Sequence, residues 1–152
     1  MNYALKIWGY IDINKCAICN RVETIEHCFL GCPRVVKLWD HFSPILSILC
    51  YSPFFISPES VYYPFSHVQS STSSILSSYL IATILYWVWF AWNRATFRNS
   101  VLNSNKIIAL VKNDVRMRIF GDCSDSVRNF WFYKSALCSV DLNNKSSLFT
   151  PL

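Results

Sequence analysis

Residues 16–32 read CAICNRVETIEHCFLGC, which sets three thiols and one imidazole, Cys16, Cys19, His27 and Cys32, at the spacing C-x2-C-x7-H-x4-C. Nothing else in the chain restricts its fold as much. A Cys-x2-Cys pair lets one tight turn aim two sulfurs at a single point, and a histidine and a third cysteine at these intervals complete a four-coordinate site for Zn2+. A Cys3His set fills a tetrahedral ion. The expected role is therefore structural, since a catalytic zinc ordinarily keeps one position for water or substrate. The competing reading is a scatter of reduced cysteines with no ion.

The residues between the ligands fit the metal reading. Glu23-Thr24-Ile25-Glu26-His27 reads as a helix start with Thr24 as N-cap, acids where the helix dipole favours them, and His27 in the first turn. Gly31 is expected to end this short helix in a left-handed conformation, and Cys32-Pro33 to open the next with proline at its first position. Cys28 would point about 100° away from His27 around the helix, which makes it a buried thiol rather than a ligand. Adjacent residues on one helix also cannot bring a cysteine nucleophile within hydrogen-bond reach of a histidine base, so a thiol protease is not indicated by Cys28, His27 and His41.

These residues resemble the reverse-transcriptase zinc-binding domain found near the C-terminal end of non-LTR (LINE-like) retrotransposon polyproteins. The likeness is carried by Cys16, Cys19, Glu23-Thr24, His27, Phe29, Cys32-Pro33 and Trp39, with a looser match in the Trp-rich run Tyr86 to Phe97, where Asn93-Arg94 inverts the commoner order. It spans roughly residues 5 to 120, and its specific part is 16 to 39. The resemblance implies a module that grips element RNA or target DNA during reverse transcription, beside a reverse-transcriptase polypeptide, and that is not itself an enzyme. No polymerase site is visible in the residues either. Clustered aspartates are needed for two-metal phosphoryl transfer, and Tyr10-Ile11-Asp12-Ile13 supplies one, while Asp122 and Asp125 read as a polar turn. A retroviral-type knuckle has a shorter middle, so its mode of base recognition does not carry over.

The expected fold class is mainly α, a small zinc-stabilised CCHC unit followed by a helical C-terminal region. Residues 1–42 form the metal unit, with Ile7, Trp8 and Ile11 before it and Val36, Trp39 and Phe42 on one face of the helix after Pro33. Residues 43–74 hold Pro44, Pro53, Pro58 and Pro64 with clustered serines and read as a linker or loop, anchored by Tyr62, Tyr63 and Phe65. Residues 75–138 read as a Trp-rich and basic helical region, and 139–152 as a tail. In the helical region Ile107, Ile108, Val111, Val115 and Ile119 recur at helical spacing and form one apolar stripe.

Charge and hydropathy then separate the functional readings. The chain carries a net charge of +5. Arg94, Arg98, Lys106, Lys112, Arg116 and Arg118 face only Asp114 before residue 119, so this stretch alone accounts for that surplus. Lysine and arginine neutralise phosphates without reading sequence, and the expected nucleic-acid contacts are Lys15, Arg21, Arg34 and Lys37 around the metal with Arg94, Arg98, Lys112 and Arg116 further on. A solvated helix face is the plain alternative; Arg118, near the apolar arc, is expected to snorkel or pair.

More than half of the residues are apolar, with three glycines and 16% aromatics, which suits a piece that packs on something larger. Docking of Trp87, Trp89 and Trp92 on a partner is one alternative. A single membrane span is another, because no charge falls between Glu59 and Arg94, but the apolar core from Tyr79 to Trp92 is short of the ~20 residues a bilayer needs. A non-functional relic of a truncated element is the third. The opening MNYALKIWGY lacks the apolar run and cleavage site of a signal peptide, so the seven cysteines point to a reducing, intracellular setting, nuclear or cytoplasmic. Cys50, Cys123 and Cys138 are then expected as buried thiols.

Overall fold

The computed structural model describes residues 15–59 and 72–122. Among them the chain is mainly helical and without strands. A π-helical turn, His27–Gly31, precedes α1 (Pro33–Cys50), α2 (Thr72–Arg98) and α3 (Ser104–Asp122). Lys15 and Val22 make one isolated antiparallel bridge that closes the turn carrying the first two cysteines.

Helix α1 begins as its sequence requires. Cys32 is extended (φ −69°, ψ 129°), and Pro33 takes the first helical position, where its missing N–H costs nothing. The helix then runs through Pro44 to Cys50 and ends at Tyr51 in the left-handed region (φ 54°). The loop expected from residue 43 therefore starts only after Cys50. The reason is the apolar register: Val35, Leu38, Trp39, Phe42, Leu46 and Leu49 are buried on one continuous face, and burying the last two outweighs the one backbone bond lost at Pro44. Val36, placed on that face by sequence spacing, is 40% exposed instead.

α2 is already helical at Thr72, ahead of the expected Ile75, and buries Leu76, Leu80, Ile81, Ile84, Val88, Ala91, Trp92 and Ala95. Asn99 in the left-handed region (φ 46°) ends it, and the short stretch to Asn103 divides the expected helical region into two helices. α3 presents Ile107, Val111, Val115 and Ile119 to the core with Ile108 half-buried, as its spacing predicts. Each of the three helices packs on the other two, and the π-helical turn packs on α1 and α2.

Cys16 and Cys32 belong to the same buried cluster as Leu38, Leu80, Ile84 and Val111. The cysteine turn thus contributes to the same core as the three helices. The expectations for Ile7, Trp8 and Ile11, for Tyr62, Tyr63 and Phe65, for Cys123, Cys138 and Asp125, and for helix beyond residue 122 lie outside the described residues.

Candidate metal centre

Local backbone rules bring the four ligands together. The chain reverses between Cys16 and Arg21 through Asn20 in the left-handed region (φ 61°), closed by Asn20 N–H to Cys16 O at 2.9 Å and Cys16 N–H to Arg21 O at 2.7 Å. Asparagine tolerates that conformation better than most residues. Thr24 Oγ1 accepts the His27 N–H at 2.9 Å, the capping bond expected of it, and so fixes the backbone that carries the imidazole. Between His27 and Cys32 the backbone takes a π turn, with Cys32 N–H reaching His27 O at 2.8 Å. Gly31 is not left-handed, contrary to the sequence expectation. The π turn itself delivers the chain to Cys32, and a Cβ at Gly31 would make only an ordinary contact, 3.7 Å from His27 Nδ1, so neither backbone nor space requires glycine there.

The donor atoms of Cys16, Cys19, His27 and Cys32 all lie within 4.8 Å of one another, with Cys19 Sγ 3.1 Å from His27 Nε2. Ligands at about 2.0 Å (nitrogen) and about 2.3 Å (sulfur) from a tetrahedral ion stand roughly 3.5–3.8 Å apart, so this cluster needs only sub-ångström adjustment to hold one. Cys16 and Cys32 are buried, and Cys19 and His27 partly so. Backbone amides already face the sulfurs. Ile18 N–H points to Cys16 Sγ at 3.4 Å, the Cys19 amide assists it, and the Arg34 amide faces Cys32.

Burial pushes the Cys16 thiol up to about 12 and also raises Cys32, against the downward pull of those amides. A bound cation reverses this balance, because it stabilises the thiolate directly. Cys28 is buried and outside the cluster, as expected, and its thiol is raised chiefly by burial and then by Glu23. Cys50, the last residue of α1, is exposed rather than buried.

Two indoles fasten the centre to the helices. Trp39 Nε1 donates to Phe29 O at 2.9 Å, tying the π turn to α1. Trp92 Nε1 donates to Glu23 Oε2 at 2.9 Å, tying the cysteine turn to α2. Glu23 is 6% exposed, and its Oε1 has no hydrogen-bond partner among the described residues. Sequence reasoning treated Glu23 as a helix-start acid and missed this buried role; a partner 69 positions away leaves no local signal.

The sequence-selected cations divide into two groups. Lys15, Arg21 and Lys37 are exposed near the centre, and Arg98, Lys112 and Arg116 are exposed on the helices. Arg34 is partly buried, with Nη1 donating to Leu102 O. Arg94 is drawn inward, its Nη2 bonded to Ser100 Oγ at 2.9 Å and its Nε buried without a partner among the described residues, so it serves the α2–α3 connection more than the surface. Arg118 pairs as expected, with Asp114 at 3.4 Å and with Tyr79 Oη at 2.8 Å.

No protein-family model, curated protein or solved structure matches the chain. The class defined by fold and site is a helical protein with a Cys3His cluster suited to one metal ion.

Proposed function

We propose that the chain is a non-catalytic zinc-binding module that grips nucleic acid, similar in role to the zinc-binding tail of non-LTR retrotransposon reverse transcriptases. The convergence of Cys16, Cys19, His27 and Cys32 within 4.8 Å carries this reading. Three thiolates and an imidazole select Zn2+ over hard cations such as Mg2+ or Ca2+, and four protein ligands leave it a structural ion. The exposed Lys15, Arg21 and Lys37 beside the centre, with Arg98, Lys112 and Arg116 on the helices, supply the charge that neutralises phosphates. The module's own part is binding and positioning RNA or target DNA beside a reverse-transcriptase polypeptide, in a reducing nuclear or cytoplasmic compartment.

Metal analysis of the full chain in reducing buffer tests the first half: one zinc per chain is expected, lost in Cys16→Ser and in His27→Ala. A folded chain without zinc overturns the reading. For the second half, affinity for an RNA or DNA oligonucleotide is expected to fall steeply between 50 and 200 mM salt, as phosphate binding does.

A scaffold role is favoured by one observation, the exposed aromatic face of α2 at Tyr86, Trp89 and Phe97; of the three tryptophans expected to dock, Trp89 is exposed, but Trp87 is partly buried and Trp92 belongs to the interior. An apolar docking surface holds or strengthens with salt, which separates the two readings. α2 is also long and apolar enough to cross a membrane, with a mean hydropathy of 1.6 over its best window, but half of that window is buried inside the molecule, as in the core helix of a soluble fold.

A further inference from the structure

We propose that the cleft between the first turns of α1 and α3 is a phosphate site that takes one phosphodiester unit of a single-stranded nucleic acid. The inference rests on the nucleic-acid reading above and gives it a place. The cleft encloses about 430 Å³ and is walled by Arg34 and Lys37 of α1, by Asn103, Ser104 and Asn105 at the start of α3, and by Ile18 and Cys19 of the cysteine turn. Among the described residues no aspartate or glutamate lines it, and its one acidic group is the Cys19 thiol, whose charge the proposed zinc would take up. Its volume falls within the ~300–1,000 Å³ typical of small-molecule sites, which is room for a nucleotide unit rather than a bare ion.

The two cations stand one turn apart, and Arg34 is held in place from both ends. Its Nη1 donates to Leu102 O, and its own carbonyl accepts from Ser104 Oγ at 3.2 Å. A guanidinium already ordered loses less entropy when a phosphate arrives. At the start of α3, Asn103 Oδ1 accepts the Lys106 N–H at 2.8 Å and Asn103 O accepts the Ile107 N–H at 3.2 Å. The Ser104 and Asn105 amides precede those bonds, at the positive end of a 19-residue helix, where first-turn N–H groups favour an anion.

Lys37 and the α3 start thus approach a phosphate from opposite walls, while Ile18 offers an apolar patch for the attached sugar or base. A flexible single strand can lower one backbone unit into such a recess. A duplex, which carries its phosphates on a stiff convex surface, cannot follow as closely.

The test uses the zinc-loaded full chain, following backbone amide resonances during separate titrations with inorganic phosphate and with a ten-nucleotide oligothymidylate. Both are expected to shift the Ser104 and Asn105 amides. Lys37→Gln, an exposed change, is expected to weaken both by about tenfold and to lower the salt slope of oligonucleotide binding by about one. Oligonucleotide binding that leaves those amides unmoved and ignores Lys37→Gln overturns the cleft while the general nucleic-acid reading stands. Phosphate shifts without oligonucleotide binding overturn the single-strand assignment and leave a site for free phosphate. No response to either probe overturns both readings.

Discussion

Glu23 and Trp92 form the most demanding pair in the molecule, because a buried carboxylate oxygen and a buried indole N–H each rely on the other. Removing one partner strands the other, at a cost of about 1–3 kcal/mol for a neutral donor and more for a charged acceptor. Trp92→Phe, which leaves neither Glu23 oxygen bonded among the described residues, is therefore expected to destabilise more than its lost area accounts for. In chemical denaturation the double variant Glu23→Leu/Trp92→Phe should lose less than the sum of the single losses; strict additivity would show that the bond contributes nothing. The thiols make a second residue-scale prediction. Burial raises Cys16 and Cys32 above the ordinary thiol value of 9.0, so in the absence of metal the folded form keeps these protons. Their contribution to stability is fully present below pH 9 and is lost as pH climbs through the raised values. The proposed zinc must displace a proton from each of Cys16, Cys19 and Cys32, so its binding should release about three per ion at pH 7 and weaken as pH falls. Calorimetry in two buffers of different ionisation heat counts them, and a count near zero would mean that the thiols are not the ligands.

At the scale of elements, the legible features were those encoded in neighbouring residues. Cys32-Pro33 did open α1, Thr24 did cap the backbone at His27, and the stripe from Ile107 to Ile119 did face the core. What the sequence hid depends on tertiary contacts. Pro44 is a helix breaker by local propensity, yet α1 continues because Leu46 and Leu49, 0% and 1% exposed, complete a face already begun by Leu38. Gly31 looked like a helix stop, but the turn there is π-helical and the left-handed positions are Asn20, Tyr51 and Asn99. The convergence of Cys16, Cys19, His27 and Cys32 was readable because metal chemistry restricts such spacing, whereas the fastening of the cluster by Glu23 and Trp92 was not, since neither residue advertises its distant partner. The Pro44 result is testable. Leu46→Ala should cost about 2–5 kcal/mol, in the same range as Leu38→Ala. A loss of less than about 0.5 kcal/mol, usual for a surface loop position, would restore the break at residue 43.

For the molecule as a whole, the question is how far the metal corner governs the rest. The three helices share a core of their own in Leu38, Leu80, Ile84, Val111 and Ile119, every one of them nearly inaccessible to solvent. The cysteine turn and the π turn, by contrast, are short, carry exposed residues such as Val22 and Ile25, and have few buried side chains besides the cysteines and Glu23. With the proposed zinc bound, segments of that kind take their order from the ion, as small metal-tied units do. The helical core has enough apolar burial to persist without it. The consequence is graded loss rather than collapse on chelation. After chelation at neutral pH, the indole protons of Trp39 and Trp92 should exchange quickly, since their acceptors, Phe29 O and a Glu23 carboxylate oxygen, belong to the metal corner. The backbone amides of Leu80, Ile84 and Val111 should remain protected under the same conditions. Loss of protection at all five positions together would mean that the ion organises the entire three-helix core, and that the apolar faces of α1, α2 and α3 cannot close on each other until the cysteine turn is fixed.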